Sequence, residues 1–200
     1  MQIPVTDEAV SQMMKHLEFL MEWGSRVNLT ALKNPRDIAI FHFLDSITVF
    51  KVVTQSPVGR VLDIGSGAGF PGIVMRTIED SIQLSVLDRN PKKIVFLKHV
   101  ARELNLSGVQ FLNIPLQEIM DGSLVESFDV VVSRAFVSDL TLLNILNVLL
   151  KPGGSLIRMA GPASAGKHLH LSNFRESSSW QGILPFSTSF RSVIRYTRIS

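Results

Sequence analysis

The chain has 200 residues and a mass of 22.2 kDa, 46% of them apolar and 18% charged, which allows a sizeable core and excludes disordered, collagen-like and low-complexity classes. No cysteine is present, so disulfides, thiolate zinc sites, iron–sulfur clusters and Cys nucleophiles are excluded. The formal charge of +3 is uneven: residues 151–200 carry Lys151, Arg158, Lys167, Arg175, Arg191, Arg195 and Arg198 against Glu176 alone, a basic end that suits a polyanionic partner or, equally, a solvated tail.

The opening Met1 to Glu8 has acids where an export signal carries positive charge, and no apolar run reaches the length of a membrane span, so we expect a cytoplasmic protein. Val10, Met13, Met14, Leu17, Leu20 and Met21 recur at helical spacing over residues 6–23, behind a Thr6-Asp7-Glu8 start, which predicts an amphipathic helix. A second helix starts at Asn34-Pro35, with Asn as cap and Pro at the first helical position, and turns Ile38, Phe41, Leu44, Ile47 and Val49 inward. These helices precede any strand, so residues 1–57 are read as a helical cap and 58–200 as the main domain.

Strand and helix alternate from residue 60 onward. Arg60 to Ile64 is a short strand entering the glycine-rich Gly65-Ser66-Gly67-Ala68-Gly69-Phe70, followed by a helix over 71–78. Gln83 to Leu87 is a second strand ending at Asp88, and Asn90-Pro91 caps a helix with Ile94, Leu97, Val100, Ala101 and Leu104 on one face. Residues 109–114, 128–133 and 155–159 read as further strands, 140–150 as a buried helix, and Lys151-Pro152-Gly153-Gly154 as a turn. Residues 161–182 lack periodicity and read as loop or poor helix, while 183–186 and 193–199 suit an antiparallel hairpin. The alternation specifies a doubly wound α/β sheet.

The densest chemical signal is Asp63 to Gly69 at the first strand-to-helix turn, with Asp88 ending the next strand. Gly65, Gly67 and Gly69 let the backbone approach a ligand, and the second-strand acid can accept both hydroxyls of a ribose. Dinucleotide binding is disfavoured, because the sixth position counted from Gly65 is Phe70 rather than glycine. An acid directly before the glycines suits a cationic ligand better than a pyrophosphate, so S-adenosylmethionine, with its sulfonium and ammonium, is the expected cofactor. His168 and His170 lack a third ligand, and no metal site is assigned.

Beyond the loop, Trp23 with Asn28-Leu29-Thr30-Ala31, His42 with Leu44-Asp45-Ser46, Asp63 through Ile73, and Ser133-Arg134-Ala135-Phe136 together identify a resemblance over nearly the whole chain. It resembles the bacterial small-subunit ribosomal RNA guanine-N7 methyltransferase family, RsmG or GidB. The resemblance implies a class I S-adenosylmethionine-dependent methyltransferase, a Rossmann-like α/β fold with a seven-stranded mixed sheet and an N-terminal helical cap. It implies cofactor contacts from Gly65, Phe70, Leu116, Gln117 and Arg134, with Asp88 on the ribose, and substrate-side or positioning roles for His42, Asp45, Asn28 and Arg134. The partner implied is 16S ribosomal RNA or the 30S subunit, and a monomer is favoured. The chain departs from the family in Pro115 where an Arg precedes the adenine-contacting pair, in Gln117 where an acid is usual, and in Ala160-Gly161 where Lys-Gly ends the fifth strand.

The missing residues fit this chemistry. Guanine N7 offers a lone pair and no proton, so methyl transfer to it needs alignment more than a general base. Carbon-5 pyrimidine methylation needs a Cys, and the Asn/Asp-Pro-Pro-aromatic stretch of amino-nitrogen methyltransferases is absent after the fourth strand. The alternatives left open are a methyltransferase of the same fold with a small-molecule or protein substrate, and a non-catalytic RNA-binding module.

Overall fold

The computed structural model describes residues 3, 5–24, 26–53, 58–120, 124–134, 140–164 and 173–199. Its centre is a seven-stranded sheet in the order β3-β2-β1-β4-β5-β7-β6, formed by β1 (Arg60–Ile64), β2 (Gln83–Leu87), β3 (Val109–Leu112), β4 (Phe128–Ser133), β5 (Leu150–Ala160), β6 (Phe174–Ile183) and β7 (Phe190–Arg198). The first five strands run parallel, and β7 is antiparallel to both β5 and β6. The chain reverses direction across the sheet at β1, and the carboxyl ends of β1 and β4 there form the crevice where ligands bind in open α/β sheets.

The inner strands β1, β2 and β4 are buried along nearly their whole length, as two-sided burial requires. Val61, Val86, Val132 and Ile157 face one core cluster and Leu62, Leu87, Val131 and Leu156 the other. The first cluster also takes in Leu20, Val27, Ile38, Phe43 and Val49 from the amino-terminal helices, so these helices share one core with the sheet. The second is closed by Ile145, Leu146 and Leu149 of α6 (Leu140–Leu149). The remaining helices flanking the parallel strands are α4 (Gly72–Ile78) and α5 (Pro91–Glu103). No helix among the described residues is long and apolar enough to cross a membrane.

The amino-terminal helices form where expected and pack differently. Thr6 caps α1 (Asp7–Trp23) by accepting from the Ala9 amide, yet Val10, Met14 and Met21 stay exposed while Ala9, His16 and Leu20 are buried. The face is turned because His16 docks onto the glycine loop. Asn34 caps α2 (Pro35–Ile38), which widens at once into a π-helical turn (Ala39–Leu44), then continues as α3 (Asp45–Ile47) and a 3-10 turn (Thr48–Lys51). The wide turn moves the apolar phase by one position, so Ile40 and Phe43 are buried where the α-helical repeat points to Phe41 and Leu44.

Two further expectations are corrected. Lys151 to Gly154 does not end a strand boundary as a free turn. It lies inside β5, where Leu150 pairs with Phe128 and Ser155 with Val130, so the extra residues are absorbed as a bulge. Residues 174–182, read as loop or poor helix, form most of β6; its buried positions are few because it is an edge strand, which removes the alternation that marks a strand in sequence.

Candidate active site

β1 delivers the chain into the glycine loop, where Gly65, Gly67 and Gly69 hold φ of 71°, 62° and 98°, conformations that exclude most side chains. A Cβ at Gly65 would meet nothing within 4 Å, whereas one at Gly72 would fall 2.7 Å from an Asp63 oxygen. The loop is therefore open on its Gly65 side and closed against Asp63 beneath.

Asp63 is fully buried. Its Oδ2 accepts from Ser66 Oγ at 2.6 Å and from the Gly72 amide at 2.9 Å, clamping both ends of the loop. Its Oδ1 has no partner among the described residues. Burial pushes this carboxyl up to about 6, against the pull of its hydrogen bonds and of Arg134. Asp63 thus clamps the loop from beneath through Oδ2. Asp88, also buried, accepts from the Gly67 amide at 3.0 Å and the Asn90 amide at 2.8 Å, with Lys93 Nζ 3.9 Å away. A carboxylate has about four acceptor positions, so two remain for a vicinal diol. Leu116 and Gln117 lie on a 3-10 turn (Leu116–Met120) after β3; Leu116 is half-buried against the second core cluster and Gln117 is exposed.

A glycine cradle with an open side, a diol acceptor and a buried negative charge beneath the loop together fit S-adenosylmethionine.

Beside the loop stands a polar network that draws on four distant stretches. Phe70 is 2% exposed and stacks on His16 and on His42, with ring centroids 5.1 and 4.7 Å apart. It packs the cap against the loop. Arg134, at the end of β4, lies 5.5 Å from the Phe70 ring and donates to His42 Nδ1 at 2.9 Å and Phe41 O at 3.3 Å. Nδ1 also lies 3.1 Å from Phe41 O, but a guanidinium can only donate, so we assign Nδ1 as the acceptor and place the ring proton on Nε2. From there it is donated to Thr30 Oγ1 at 2.7 Å. Burial and the charge of Arg134 lower His42 to about 4, which keeps this tautomer neutral. His16 is likewise lowered to about 4 by burial and donates from Nε2 to Ala68 O at 2.9 Å.

Asp45 completes the network. It takes Arg191 Nε at 3.1 Å and lies 3.9 Å from Arg134, joining the carboxyl end of β4 to the beginning of β7. Burial raises its carboxyl, and the two guanidiniums offset part of that shift. Arg134, His42 and Asp45 are therefore brought together as expected. Asn28 is exposed and stands outside the network; Thr30, two residues on, takes part instead. Thr30 was legible only as part of Asn28-Leu29-Thr30-Ala31, and His16 was hidden in a stripe of methionines. No local signal marks Arg191, whose partner lies 146 residues away.

The basic carboxyl-terminal stretch is largely consumed within the fold. Arg191 serves Asp45, Lys151 pairs with Asp129 at 2.6 Å, Arg198 pairs with Glu126 at 3.1 Å and donates to Leu150 O, and Arg158 is buried. Arg195 donates to Ser155 Oγ at 2.9 Å, while Arg175 is exposed. Lys167, His168 and His170 lie outside the described residues. Among the described residues no three His, Cys, Asp or Glu side chains are grouped to hold a metal.

A family model described as rRNA small subunit methyltransferase G matches residues 9–182. The chain belongs to this family. The protein named ribosomal RNA small subunit methyltransferase G from Alkaliphilus oremlandii is 34% identical over 161 residues, which cover 80% of this chain and 67% of that protein. Its namesake in Geotalea uraniireducens is 40% identical over 142 residues, 71% of this chain and 64% of that protein. The one from Syntrophotalea carbinolica is 34% identical over 197 residues, 96% of this chain and 88% of that protein. The chain thus spans about two thirds of the length of several curated family members. In fold it is similar to the crystal structure of a SAM-dependent methyltransferase from Aquifex aeolicus, with a TM-score of 0.62 at 14% identity over 83% of this chain and 94% of that one. A predicted O-methyltransferase from Agrobacterium tumefaciens gives 0.61 at 16% identity, over 79% and 80%.

Proposed function

We propose that this chain transfers the methyl group of S-adenosylmethionine to N7 of a guanine in 16S ribosomal RNA, as free RNA or in the 30S subunit, in the cytoplasm. The observation that carries the reading is the Thr30–His42–Arg134–Asp45 network. It joins three sequence stretches that characterise the family, and it lies against the glycine loop through Phe70.

When bound, the cofactor supplies an electrophilic methyl group on a sulfonium. Gly65 offers the open backbone against which it can lie, Asp88 has two acceptor positions for its ribose, and Leu116 and Gln117 are the candidates for its adenine edge. Pro115, in place of a family Arg, accepts from the Glu118 amide through its carbonyl, which holds the turn that carries Leu116 and Gln117. Arg134 is fixed by three acceptors at the carboxyl edge of the sheet and is the candidate for orienting the guanine or the cofactor carboxylate. His42 is neutral and its Nδ1 lone pair is occupied by Arg134, so it is a positioning group and not a proton acceptor. That agrees with the reaction: guanine N7 carries a lone pair and no proton, so the protein would supply alignment with the bound methyl donor rather than a proton acceptor. Asp45 is already matched by Arg134 and Arg191, so the buried carboxylate of Asp63 beneath the loop is the candidate for offsetting the positive charge that develops on guanine. An N7 edge inside A-form RNA lies in a groove that side chains cannot read, so the target guanine is unpaired or flipped out.

The test is transfer of a labelled methyl group from S-adenosylmethionine to 16S RNA and to 30S particles, followed by mapping of N7-methylguanine. Label at one guanine is the expected result. Cofactor binding with no label on either RNA would remove the ribosomal reading and leave another acceptor or a silent binding module.

A further inference from the structure

The turn between β6 and β7 carries Phe186, the most exposed of the large apolar side chains at 79%. Its backbone holds φ of 61°, a region that bulky L residues rarely enter. The turn is braced to keep it there. The Leu184 amide donates to Ser189 O at 3.0 Å, the Ser187 amide to Leu184 O at 3.2 Å, and the Ser189 amide to Ser187 Oγ at 3.1 Å. A rigid, strained turn presenting a solvated aromatic ring has no packing purpose in the core.

Topology places this ring on the active-site rim. Ala160, the end of β5, pairs with Ser192 near the start of β7, and Ile183 pairs with Phe190. The turn therefore projects from the same edge of the sheet as the carboxyl ends of the parallel strands. Next to it lies the π-helical turn that supplies His42. Between them is an open hollow of about 590 Å³, lined by apolar Ile40, Phe41 and Phe186 and by polar Arg36, Asp37, Ser187 and Thr188, within the roughly 300–1,000 Å³ of small-ligand pockets. Arg36 is exposed, and its contacts among the described residues are made by its backbone, with Asn34 Oδ1 and the Ala39 amide, and not by its guanidinium. Its guanidinium is thus left to a ligand. Phe41 is already covered by Arg191, 5.8 Å above its ring, whereas Phe186 makes no ring or cation contact among the described residues.

We propose that this hollow is a nucleotide subsite: a base flanking the target guanine stacks on Phe186, its phosphate is held by Arg36, and Asp37, Ser187 and Thr188 meet its polar edges. An exposed aromatic beside a free guanidinium and hydroxyls is the combination that holds unpaired nucleotides. The subsite accounts for how a protein whose carboxyl-terminal cations are mostly consumed in its own fold grips an RNA. The proposal rests on the RNA reading of the active site, and it commits to single-stranded RNA rather than an apolar peptide, because the hollow is mixed polar and apolar in its lining.

The decisive variants are Phe186→Gly, Phe186→Trp and Arg36→Gln in the full chain. Two readouts are needed: binding of a fluorescently labelled, unpaired, guanine-containing RNA oligonucleotide, and the KM for RNA in the methyl-transfer assay. Phe186→Gly relieves the positive φ, so its thermal stability holds or rises while oligonucleotide affinity falls about tenfold, the loss of one stacked base. Phe186→Trp retains affinity, and Arg36→Gln lowers the slope of log affinity against log salt by about one. Cofactor affinity is unchanged in all three. Wild-type affinity in Phe186→Gly, or an unchanged salt slope in Arg36→Gln, would overturn the subsite. If the wild-type chain binds the oligonucleotide through Phe186 but methylates neither 16S RNA nor 30S particles, the subsite stands and the ribosomal reading fails. Binding of an apolar peptide that is lost in Phe186→Gly and is not competed by the oligonucleotide would overturn the nucleotide assignment.

Discussion

His42 has a partner on each ring nitrogen, and the chemistry of those partners decides its protonation. Because Arg134 can only donate, Thr30 must accept. Thr30→Val keeps the shape and removes that acceptor, leaving a half-buried N–H unpaired; loss of one such hydrogen bond in positioning is expected to lower kcat roughly tenfold, while Thr30→Ser retains activity. Steady-state kinetics on 16S RNA checks both. Asp63 gives a different handle. With its carboxyl at about 6, it is neutral at pH 5 and charged at pH 7.5, so affinity for the cationic cofactor should rise several-fold between those values. Asp63→Asn should flatten the rise, as read by calorimetric titration. At this scale the sequence exposed residue types well and their partners poorly: Asp63 and Asp88 were visible as acids at strand ends, but nothing local told that Asp63 faces inward.

Secondary-structure elements were legible wherever one periodicity held throughout. β1, β2 and β4 lie where their apolar runs place them, because buried parallel strands leave no other use for such runs. The misses are places where a tertiary contact changes the repeat: the π-helical turn that shifts burial to Ile40 and Phe43, and the bulge that pulls Lys151 to Gly154 into β5. Helix α1 shows the same override, since His16 rather than a methionine marks its buried face. This has a pH signature. His16 and His42 have folded values near 4, below the ordinary 6.5. Between those values the unfolded chain binds protons that the folded chain refuses, so their stabilisation is present above pH 6.5 and lost as pH falls toward 4. Asp63, raised to about 6, acts in the opposite sense between 3.8 and 6, as does Asp45, also raised by burial, while the lowered Asp129 acts in the same sense as the histidines. The melting temperature should therefore fall on acidification from pH 7 to 4.5. His16→Gln, which keeps a donor for Ala68 O, should remove roughly half of the histidine-driven fall, measured by calorimetry across that range.

Across the whole molecule, Asp45 is the stitch between the cap, the end of β4 and the beginning of β7. Asp45→Ala would strand two mostly buried guanidiniums, at a cost of roughly 3 kcal/mol, or about 6–12 °C in melting temperature for a chain of this size, with methyl transfer lost at the same time. Net charge was the least transferable quantity read from the sequence. The excess of cations after residue 150 suited a polyanion, yet Lys151, Arg158, Arg191 and Arg198 are spent inside the fold. The order of the sheet also sets a timetable for synthesis. β7 follows β6 in the chain but is inserted between β5 and β6, so β6 has no neighbour to pair with until β7 leaves the ribosome. A nascent chain paused before residue 190 holds the exposed edge of β5 and an orphan strand, the kind of surface that recruits other chains. The step that closes the sheet is also the one that brings Arg191 to Asp45, which couples closure of the sheet to assembly of the site.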